Sequence, residues 1–223
     1  MEIFALSDLH LPLGINKPMN IFGERWDNYV EKIEYEWKKC VKENDYVIIN
    51  GDFSWAMYLK ESLKDFQFIS SLPGKKIISK GNHDYWWETL KKMNEFVQAN
   101  NLNDITFLHN NAILCGDVAV CAAKGWISPS DKNFKAEDMR LYQRELIRFE
   151  NSLKEAKKLS GRIVAALHFP PDKEFIQLME EYNAERLIFG HLHGKRAEDY
   201  RITNEKCMLV SADFLKFTPI RII

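Results

Sequence analysis

The sequence predicts an α/β layered domain whose sheets combine parallel and antiparallel strands. Short apolar runs bounded by polar residues or glycine recur along the chain, as expected for buried strands. In the first half, charged segments of helix length lie between many of these runs, which favours parallel pairing. Near the middle, the runs Ala112 to Cys115 and Val118 to Ala123 follow each other like the two arms of a hairpin, which favours antiparallel pairing. Mixed pairing follows from the two patterns together.

The predicted strands are short, and they are, in chain order, Ile3 to Leu6, Tyr46 to Ile49, Lys76 to Ile78, Ile105 to Leu108, Ala112 to Cys115, Val118 to Ala123, Ile163 to Leu167, Leu187 to Phe189, Cys207 to Val210 and Ile220 to Ile223. No helical segment separates the last two runs, so we expect antiparallel pairing from Cys207 onward.

The clearest helix is predicted from about Ala136 to Leu159. Its apolar residues recur at alternating four- and three-residue spacing, which forms one stripe that faces a core. Gly161 is placed to end this helix. The stretch Leu11 to Gly23, which is rich in proline and glycine, is predicted to be a long loop, either a surface connection or a lid over substrate.

Length and composition favour one domain over residues 1–223. With 46% hydrophobic residues the chain can bury a sizeable core. The first residues lack a basic leader, and no apolar run approaches the roughly 18 residues that suggest a membrane span, so we expect a soluble protein with no membrane partner. The four cysteines form no CxxC pair, which favours reduced thiols and the cytoplasm.

Charge says little about partners. The formal net charge is -1, so no global basic field indicates nucleic-acid binding, although a local basic groove stays open as an alternative. Nothing in the sequence indicates an oligomeric state.

Five of the predicted strands are followed by side chains that can bind a metal. These side chains are Asp8 and His10, then Asp52, then Asn82, His83 and Asp84, then His168, and finally His191 and His193. Five of the six histidines lie in these segments, and only His109 lies elsewhere. A single such histidine would more often be a packed or solvent-facing residue. Because ligands bind beyond the carboxyl ends of strands in open α/β sheets, we expect the five segments to converge on one crevice.

Spacing and residue type indicate the kind of metal. Residues two apart on an extended segment point to the same side, so Asp8 with His10, and His191 with His193, can each hold one ion from two positions. Imidazole, carboxylate and amide ligands suit Mn, Fe, Zn or Co, and the lack of cysteine disfavours a thiolate zinc site. Three candidates are each preceded by a glycine, namely Gly51, Gly81 and Gly190. Each glycine either permits close approach of the backbone to a bound ion or phosphate, or merely ends a strand.

The order Asp-x-His, Gly-Asp, Gly-Asn-His-Asp, a lone His and Gly-His-x-His resembles the calcineurin-like metallophosphoesterase superfamily, and the motifs span Asp8 to His193. The resemblance implies a four-layer α/β/β/α sandwich with two mixed β-sheets, and a hydrolase for phosphate esters with two divalent metal ions. It also implies a role for each motif residue: Asp8, His10 and His193 hold one metal, Asn82, His168 and His191 hold the other, Asp52 bridges both, and His83 is the general acid, oriented by Asp84.

The second motif departs from two branches of this superfamily. It reads Gly51 to Trp55 as Gly-Asp-Phe-Ser-Trp, without the Asp-Arg-Gly extension of the protein phosphatases. Trp55 stands where purple acid phosphatases have a tyrosine ligand, and an indole N–H can only donate. Neither subtype is therefore predicted, and the side chain that binds the phosphate stays open, with Lys80 as one candidate.

The implied reaction is attack of a metal-bridging hydroxide on phosphorus, with proton donation to the leaving group by His83. A phosphomonoester or a phosphodiester would serve as substrate, and a small molecule is expected. The alternatives are a metal-dependent nuclease and a non-catalytic protein-binding scaffold with the same fold.

Of four further residues, two have two interpretations each. Trp55 is either a core residue or a platform that stacks on the leaving group. Lys124 is either a solvated lysine or a phosphate contact. Arg140 and Arg144, one helical turn apart, are interpreted as a solvated helix face.

Overall fold

The computed structural model describes residues 1–202 and 204–223, and within them every predicted strand is present. The strands are β1 Ile3–Ala5, β2 Tyr46–Asn50, β3 Lys75–Ser79, β4 Ile105–Leu108, β5 Ala112–Cys115, β6 Val118–Ala123, β7 Arg162–Leu167, β8 Arg186–Phe189, β9 Cys207–Leu209 and β10 Ile220–Arg221. One sheet has the order β10-β1-β2-β3-β4 and the other the order β5-β6-β7-β8-β9. Both sheets are mixed, because β10 is antiparallel to β1 and β5 is antiparallel to β6, while the remaining pairs are parallel.

The helices of the described residues lie between and after these strands. They are α1 Tyr29–Cys40, α2 Leu63–Ser70, α3 Leu90–Ala99, α4 Asp138–Leu159, α5 Lys173–Glu181 and α6 Gly194–Asp199. The helix predicted to end at Leu159 is α4, and its apolar stripe is buried at Tyr142, Phe149, Leu153 and Ala156. No helix in the described ranges combines the length and the apolarity that crossing a bilayer would require.

The alternation of side chains along the strands produces the layers. Side chains on a strand point alternately to its two faces. In β7, Ile163, Ala165 and Leu167 pack against the helices of the second sheet, whereas Val164 and Ala166 pack between the two sheets. Both faces of the sheets are thus buried, which explains why the strands read as continuous apolar runs. The result is the predicted α/β/β/α sandwich.

The expected pairing of the last two strands with each other is wrong. β9 pairs in parallel with β8, and β10 pairs antiparallel with β1 in the other sheet. The segment between them turns at Lys216 and Phe217, which both have positive φ, and carries the chain from one sheet to the other. The absence of a helix between two strands therefore did not imply a hairpin.

The long loop predicted from Leu11 to Gly23 contains a short 3-10 helix at Met19–Phe22. Met19 is buried, while Phe22 is 56% exposed. The loop therefore packs one side against the core and presents an aromatic side chain to solvent.

The two sheets are joined at their carboxyl ends. Beyond the strand ends, Ser7 and Ser211 form an isolated parallel bridge. Asn50, the last residue of β2, donates from its side-chain amide to the carbonyl oxygens of Leu167 (2.5 Å) and Ile188 (3.4 Å) in the opposite sheet. The Asn50 side-chain oxygen accepts a hydrogen bond from Ser79 in β3. The loops that follow these strands consequently emerge side by side.

Candidate metal centre

The predicted side chains converge where the strands of both sheets end. They come from the loops after β1, β2, β3, β7 and β8. Asp8, His10, Asp52 and His168 are at most 3% exposed, and Asn82, His191 and His193 are half-buried. The expected convergence of five strand ends is present in the structure.

One set of ligand atoms comes from Asp8, His10 and His193, whose nearest nitrogen and oxygen atoms lie within 4.8 Å of one another. The Nε2 atoms of His10 and His193 are 3.3 Å apart, and Nε2 of His193 is 3.6 Å from Oδ1 of Asp8. Two imidazoles and a carboxylate thus face one point.

A second set comes from Asn82, His168 and His191. The side-chain oxygen of Asn82 is 2.8 Å from Nε2 of His168 and 2.9 Å from Nδ1 of His191. Asp52 lies between the sets, because its Oδ2 is 3.4 Å from Nε2 of His168 and 3.9 Å from Nε2 of His10. The side chains thus form two groups with Asp52 between them, and their assignment as metal ligands stays a prediction.

Hydrogen bonds on the far side of two rings fix their orientation. Nδ1 of His168 lies 3.1 Å from the carbonyl oxygen of Asn50, and Nδ1 of His193 lies 2.7 Å from Oδ1 of Asp213. Because a carbonyl or carboxylate oxygen accepts, each Nδ1 carries a proton as donor. This leaves Nε2 of both rings directed at the cluster.

Sequence analysis missed Asp213. It is 8% exposed and also accepts a hydrogen bond from the backbone N–H of Gly194. The signal was available, since Asp213 follows β9 as the other candidates follow their strands.

The backbone at the site is unusual, and it corrects the alternation argument. Asp8, His10, Asp52 and His191 all have left-handed φ angles, between 47° and 69°. Asp8 and His10 lie beyond β1 and are not on an extended segment, so their convergence is produced by left-handed turns. Such conformations cost about 1–3 kcal/mol each in non-glycine residues, and they cluster at functional sites.

Glycine is required where loops touch the carboxylates. A Cβ atom on Gly81 would collide with Oδ1 of Asp52, and one on Gly190 would collide with Oδ2 of Asp8. Close approach, and not merely strand ending, therefore explains these two glycines.

The charges of the cluster are mutually dependent. Burial raises the pKa of Asp8, but the hydrogen bond to His193 and the charges of His168 and His193 outweigh it and lower the pKa to about 2. Burial lowers the pKa of His193, but Asp213 and Asp8 outweigh it and raise the pKa to about 10. Protons and metal cations compete for such imidazole nitrogens, so metal binding here would release protons.

Asp84 differs from the expectation. No hydrogen bond or ion pair within the described residues joins its carboxylate to the His83 ring. The carboxylate, which is 1% exposed, accepts from the backbone N–H groups of Asp52 (2.9 Å), Phe53 (2.9 Å) and Gly81 (2.7 Å), and from the indole of Trp86 (3.0 Å). Asp84 thus ties the loop after β2 to the loop after β3, and it affects His83 only through the backbone.

His83 and Trp55 lie beside the cluster. The backbone N–H of His83 donates to Oδ1 of Asp52, and its half-buried ring has its centroid 6.0 Å from that of His10. The Trp55 ring stacks on His10 at 4.6 Å and lies 5.1 Å from the His83 ring. Although Trp55 is only 8% exposed, it lines a cavity next to the cluster.

Two cavities meet at the cluster. The first, about 570 Å³, is lined by the aromatic rings of Phe22, Trp26 and Trp55. The second, about 1070 Å³, extends along Trp126, Phe169 and α5. Three residues line both cavities, namely His191, Lys195 and Arg196.

Lys124 lies in neither cavity. It lines a separate cavity of about 240 Å³ together with Lys80, and its ammonium is 4.0 Å from the centroid of a Trp126 ring. Burial, with the charges of Lys80, Arg144 and Arg148, lowers the pKa of Lys124 to about 8, against the raising effect of Glu145. Lys124 thus lines a cavity separate from the two that meet at the cluster, and the alternative interpretation of it as a phosphate contact stays a prediction.

The two-sheet sandwich with a His- and Asp-rich cluster at the carboxyl ends of its strands defines an α/β protein with a candidate metal centre. The family model for calcineurin-like phosphoesterase matches residues 1–195, and the chain belongs to this family of metal-dependent phosphoesterases. Asp213 lies beyond the matched residues. No curated protein matches the chain.

Solved structures agree on the fold. A protein of unknown function from Aquifex aeolicus is 18% identical, with a TM-score of 0.55, over 99% of this chain and 95% of its own. A protein described as the anchor in the inner membrane complex of Plasmodium is 10% identical, with a TM-score of 0.50, over 96% of this chain and 72% of its own. At these identities the likeness concerns the fold alone.

We expect Asp84→Ala to lower the free energy of unfolding by about 3 kcal/mol or more, because several buried N–H donors would lose a charged acceptor. Urea denaturation followed by circular dichroism measures the change. Asp27→Ala, which removes an exposed carboxylate, is the control and should leave the midpoint unchanged. Equal midpoints for the two variants would contradict the role of Asp84 in tying the loops together.

Proposed function

We propose that the chain hydrolyses phosphate esters with two divalent metal ions bound in the cluster. The observation that carries this proposal is the position of Asp52, whose Oδ2 faces both His10 and His168 and so belongs to both ligand sets. A shared carboxylate between two nitrogen-rich sets is the arrangement that a pair of neighbouring cations needs.

The residues fit such ions. The donor atoms are imidazole nitrogens, carboxylate oxygens and one amide oxygen, which suit Mn, Fe or Zn. Nε2 atoms of two buried or half-buried histidines face each other at 3.3 Å, a separation that a shared cation would stabilise. In this proposal Asp8, His10 and His193 would hold one ion, Asn82, His168 and His191 would hold the other, and Asp52 would serve both. When bound, the ions would neutralise phosphate charge and lower the pKa of a water nucleophile.

His83 is proposed as the general acid. Its ring is half-buried beside the cluster and has no side-chain hydrogen bond within the described residues, so a nitrogen is available to the leaving oxygen. Its backbone N–H donates to Asp52 Oδ1, which links its position to the carboxylate of both sets. Burial lowers the pKa of His83 and makes its protonated form a stronger acid. Asp84 would contribute by fixing the loops that carry these residues.

Substrate would enter the first cavity. Arg25, Lys195 and Arg196 line it and would attract an anionic ester. The rings of Trp55 and Phe22 also line this cavity, nearly parallel with centroids 6.5 Å apart, and the Lys17 ammonium lies over the Trp55 ring at 3.3 Å. The cationic lining replaces the arginine that the second motif lacks.

The setting proposed for this activity is a single domain in the cytoplasm. All four cysteines are free, and three of them are buried, as is usual in a reducing compartment.

A phosphodiester is the second candidate substrate. Because the two cavities share His191, Lys195 and Arg196, a phosphate at the cluster could place one ester group in each cavity. The larger cavity is lined by basic side chains and also by four acidic ones, namely Asp131, Asp172, Glu180 and Asp199. These acids would repel the backbone of a nucleic acid, which favours a small diester over a nuclease substrate.

The remaining alternative is a non-catalytic scaffold. The Plasmodium protein of similar fold is described as an anchor, and such a role needs no intact ligand set. The complete cluster and the adjacent His83 favour catalysis.

We expect Asp52→Ala to lose both bound metal and turnover, because one carboxylate serves both ligand sets. Elemental analysis after purification with Mn, together with hydrolysis of 4-nitrophenyl phosphate, measures both. Asp45→Ala is the matched control, because it removes a buried carboxylate that directly precedes the first residue of β2, at the end of the strand far from Asp52. An Asp52→Ala protein with two bound metals and full activity would refute the proposal.

We expect His83→Ala to keep its metal but to lose about 10²- to 10⁴-fold in kcat for an alkyl phosphate, whose leaving oxygen needs a proton. The loss should be much smaller for a 4-nitrophenyl ester, which leaves without protonation. His109→Ala removes the one histidine outside the cluster and is the control. Equal losses for both esters would argue against a general acid.

We expect a higher kcat/KM for bis(4-nitrophenyl) phosphate than for 4-nitrophenyl phosphate if both cavities are used. Gln177→Trp, in the larger cavity, should raise KM for the diester about tenfold, a loss of about 1.4 kcal/mol, and leave the monoester unaffected. Gln143→Trp, on an exposed position of α4, is the control. Equal effects on both substrates would contradict a binding role for the larger cavity.

A further inference from the structure

A cluster of cations surrounds the small cavity that contains Lys124. Lys80 reaches this cavity from the loop after β3, and Lys124 from the end of β6. Arg144 and Arg148 reach it from successive turns of α4. Four basic side chains thus line about 240 Å³, together with one acid, Glu145.

Most of this charge has no partner within residues 1–202 and 204–223. Arg148 donates to Oε1 of Glu145 at 2.6 Å. The side chains of Lys80, Lys124 and Arg144 form no ion pair or hydrogen bond with the residues described, and the Lys124 ammonium lies over the aromatic rings of Trp126 (4.0 Å) and Phe169 (6.0 Å). One carboxylate therefore compensates four cations, and the cavity keeps an excess of positive charge.

Such an arrangement is unfavourable by itself. Lys80, Lys124 and Arg148 are half-buried, and like charges in a partly desolvated cavity repel more strongly than they do in water. Exposed lysines and arginines normally avoid this cost by extending into solvent or by pairing with acids. A bound anion would remove the repulsion.

We propose that this cavity binds a small phosphate-type oxyanion, at a site separate from the Asp- and His-rich cluster. Arginine forks and lysine ammonium groups are the side chains that bind multiply charged phosphate oxygens, and both kinds are present. The volume suits one phosphate group and excludes a nucleic-acid strand. His109 and Asn110 at the rim provide further polar atoms.

The site is joined to the candidate metal centre through the backbone. The carbonyl oxygen of Lys124 accepts the N–H groups of His168 and Phe169, each at 3.0 Å. Lys80 directly precedes Gly81 and Asn82. An anion held by the two lysines would thus lie behind the loops that carry Asn82 and His168. This position does not depend on whether the chain hydrolyses esters.

The test is calorimetric titration of inorganic phosphate into the full chain after metal removal with a chelator, at low ionic strength. Phosphate should bind, and Arg144→Gln should weaken binding about tenfold or more, because a charged hydrogen bond is lost. Lys124→Gln should weaken it similarly. Arg140→Gln, one turn away on α4 and outside the cavity, is the matched control and should bind as the unmodified chain does.

Binding should also weaken as sodium chloride is added, since the contacts are electrostatic. Circular dichroism of each variant verifies that the fold is retained, which is expected for Arg144→Gln because Arg144 is exposed. The proposal is overturned if the unmodified chain binds no phosphate at millimolar concentration, or if the Arg144 and Lys124 variants bind it as tightly as Arg140→Gln. Neither result depends on the outcome of the ester-hydrolysis assays.

Discussion

The centre depends on one buried asparagine that holds the two sheets together at their carboxyl ends. Asn50 donates to backbone carbonyls of β7 and β8, accepts from Ser79 of β3, and offers its own carbonyl oxygen to Ser7 and His168. Because it lies at 0% exposure, these bonds do not compete with water. They align the loops of both sheets, and without that alignment the ligand candidates would belong to two separate surfaces.

Much of the fold could be predicted from the sequence because burial on both faces leaves a plain signal. β6 is apolar throughout and β7 is apolar after Arg162, and the polar residues that follow such strands mark where each strand ends. The pairing of β9 and β10 could not be predicted in the same way. It depends on where the chain crosses between the sheets, and that crossing contains left-handed turns at Lys216 and Phe217. Lysine and phenylalanine are not residue types from which a left-handed turn is predicted.

At the site, residue type and order predicted which side chains meet, but not what supports them. Asp213 and Asn50 act on the far side of histidine rings, and such contacts leave no pattern along the chain. The motif that contains Asp84 likewise does not reveal that its carboxylate accepts from the backbone of two loops instead of facing the His83 ring. Lys80, Lys124 and Arg144 are far apart in the chain, and they meet at one cavity because α4 packs on the second sheet and the two sheets pack on each other.

The left-handed backbone at Asp8, His10, Asp52 and His191 has a consequence for protein engineering. The orientation of these side chains is determined by the turns that carry them as much as by the sheets below. Grafting the same seven side chains onto ideal strands of another sandwich would therefore misdirect at least these four. A transplant that reproduces the centre must carry the loops whole, with Gly81 and Gly190 to let them approach the carboxylates.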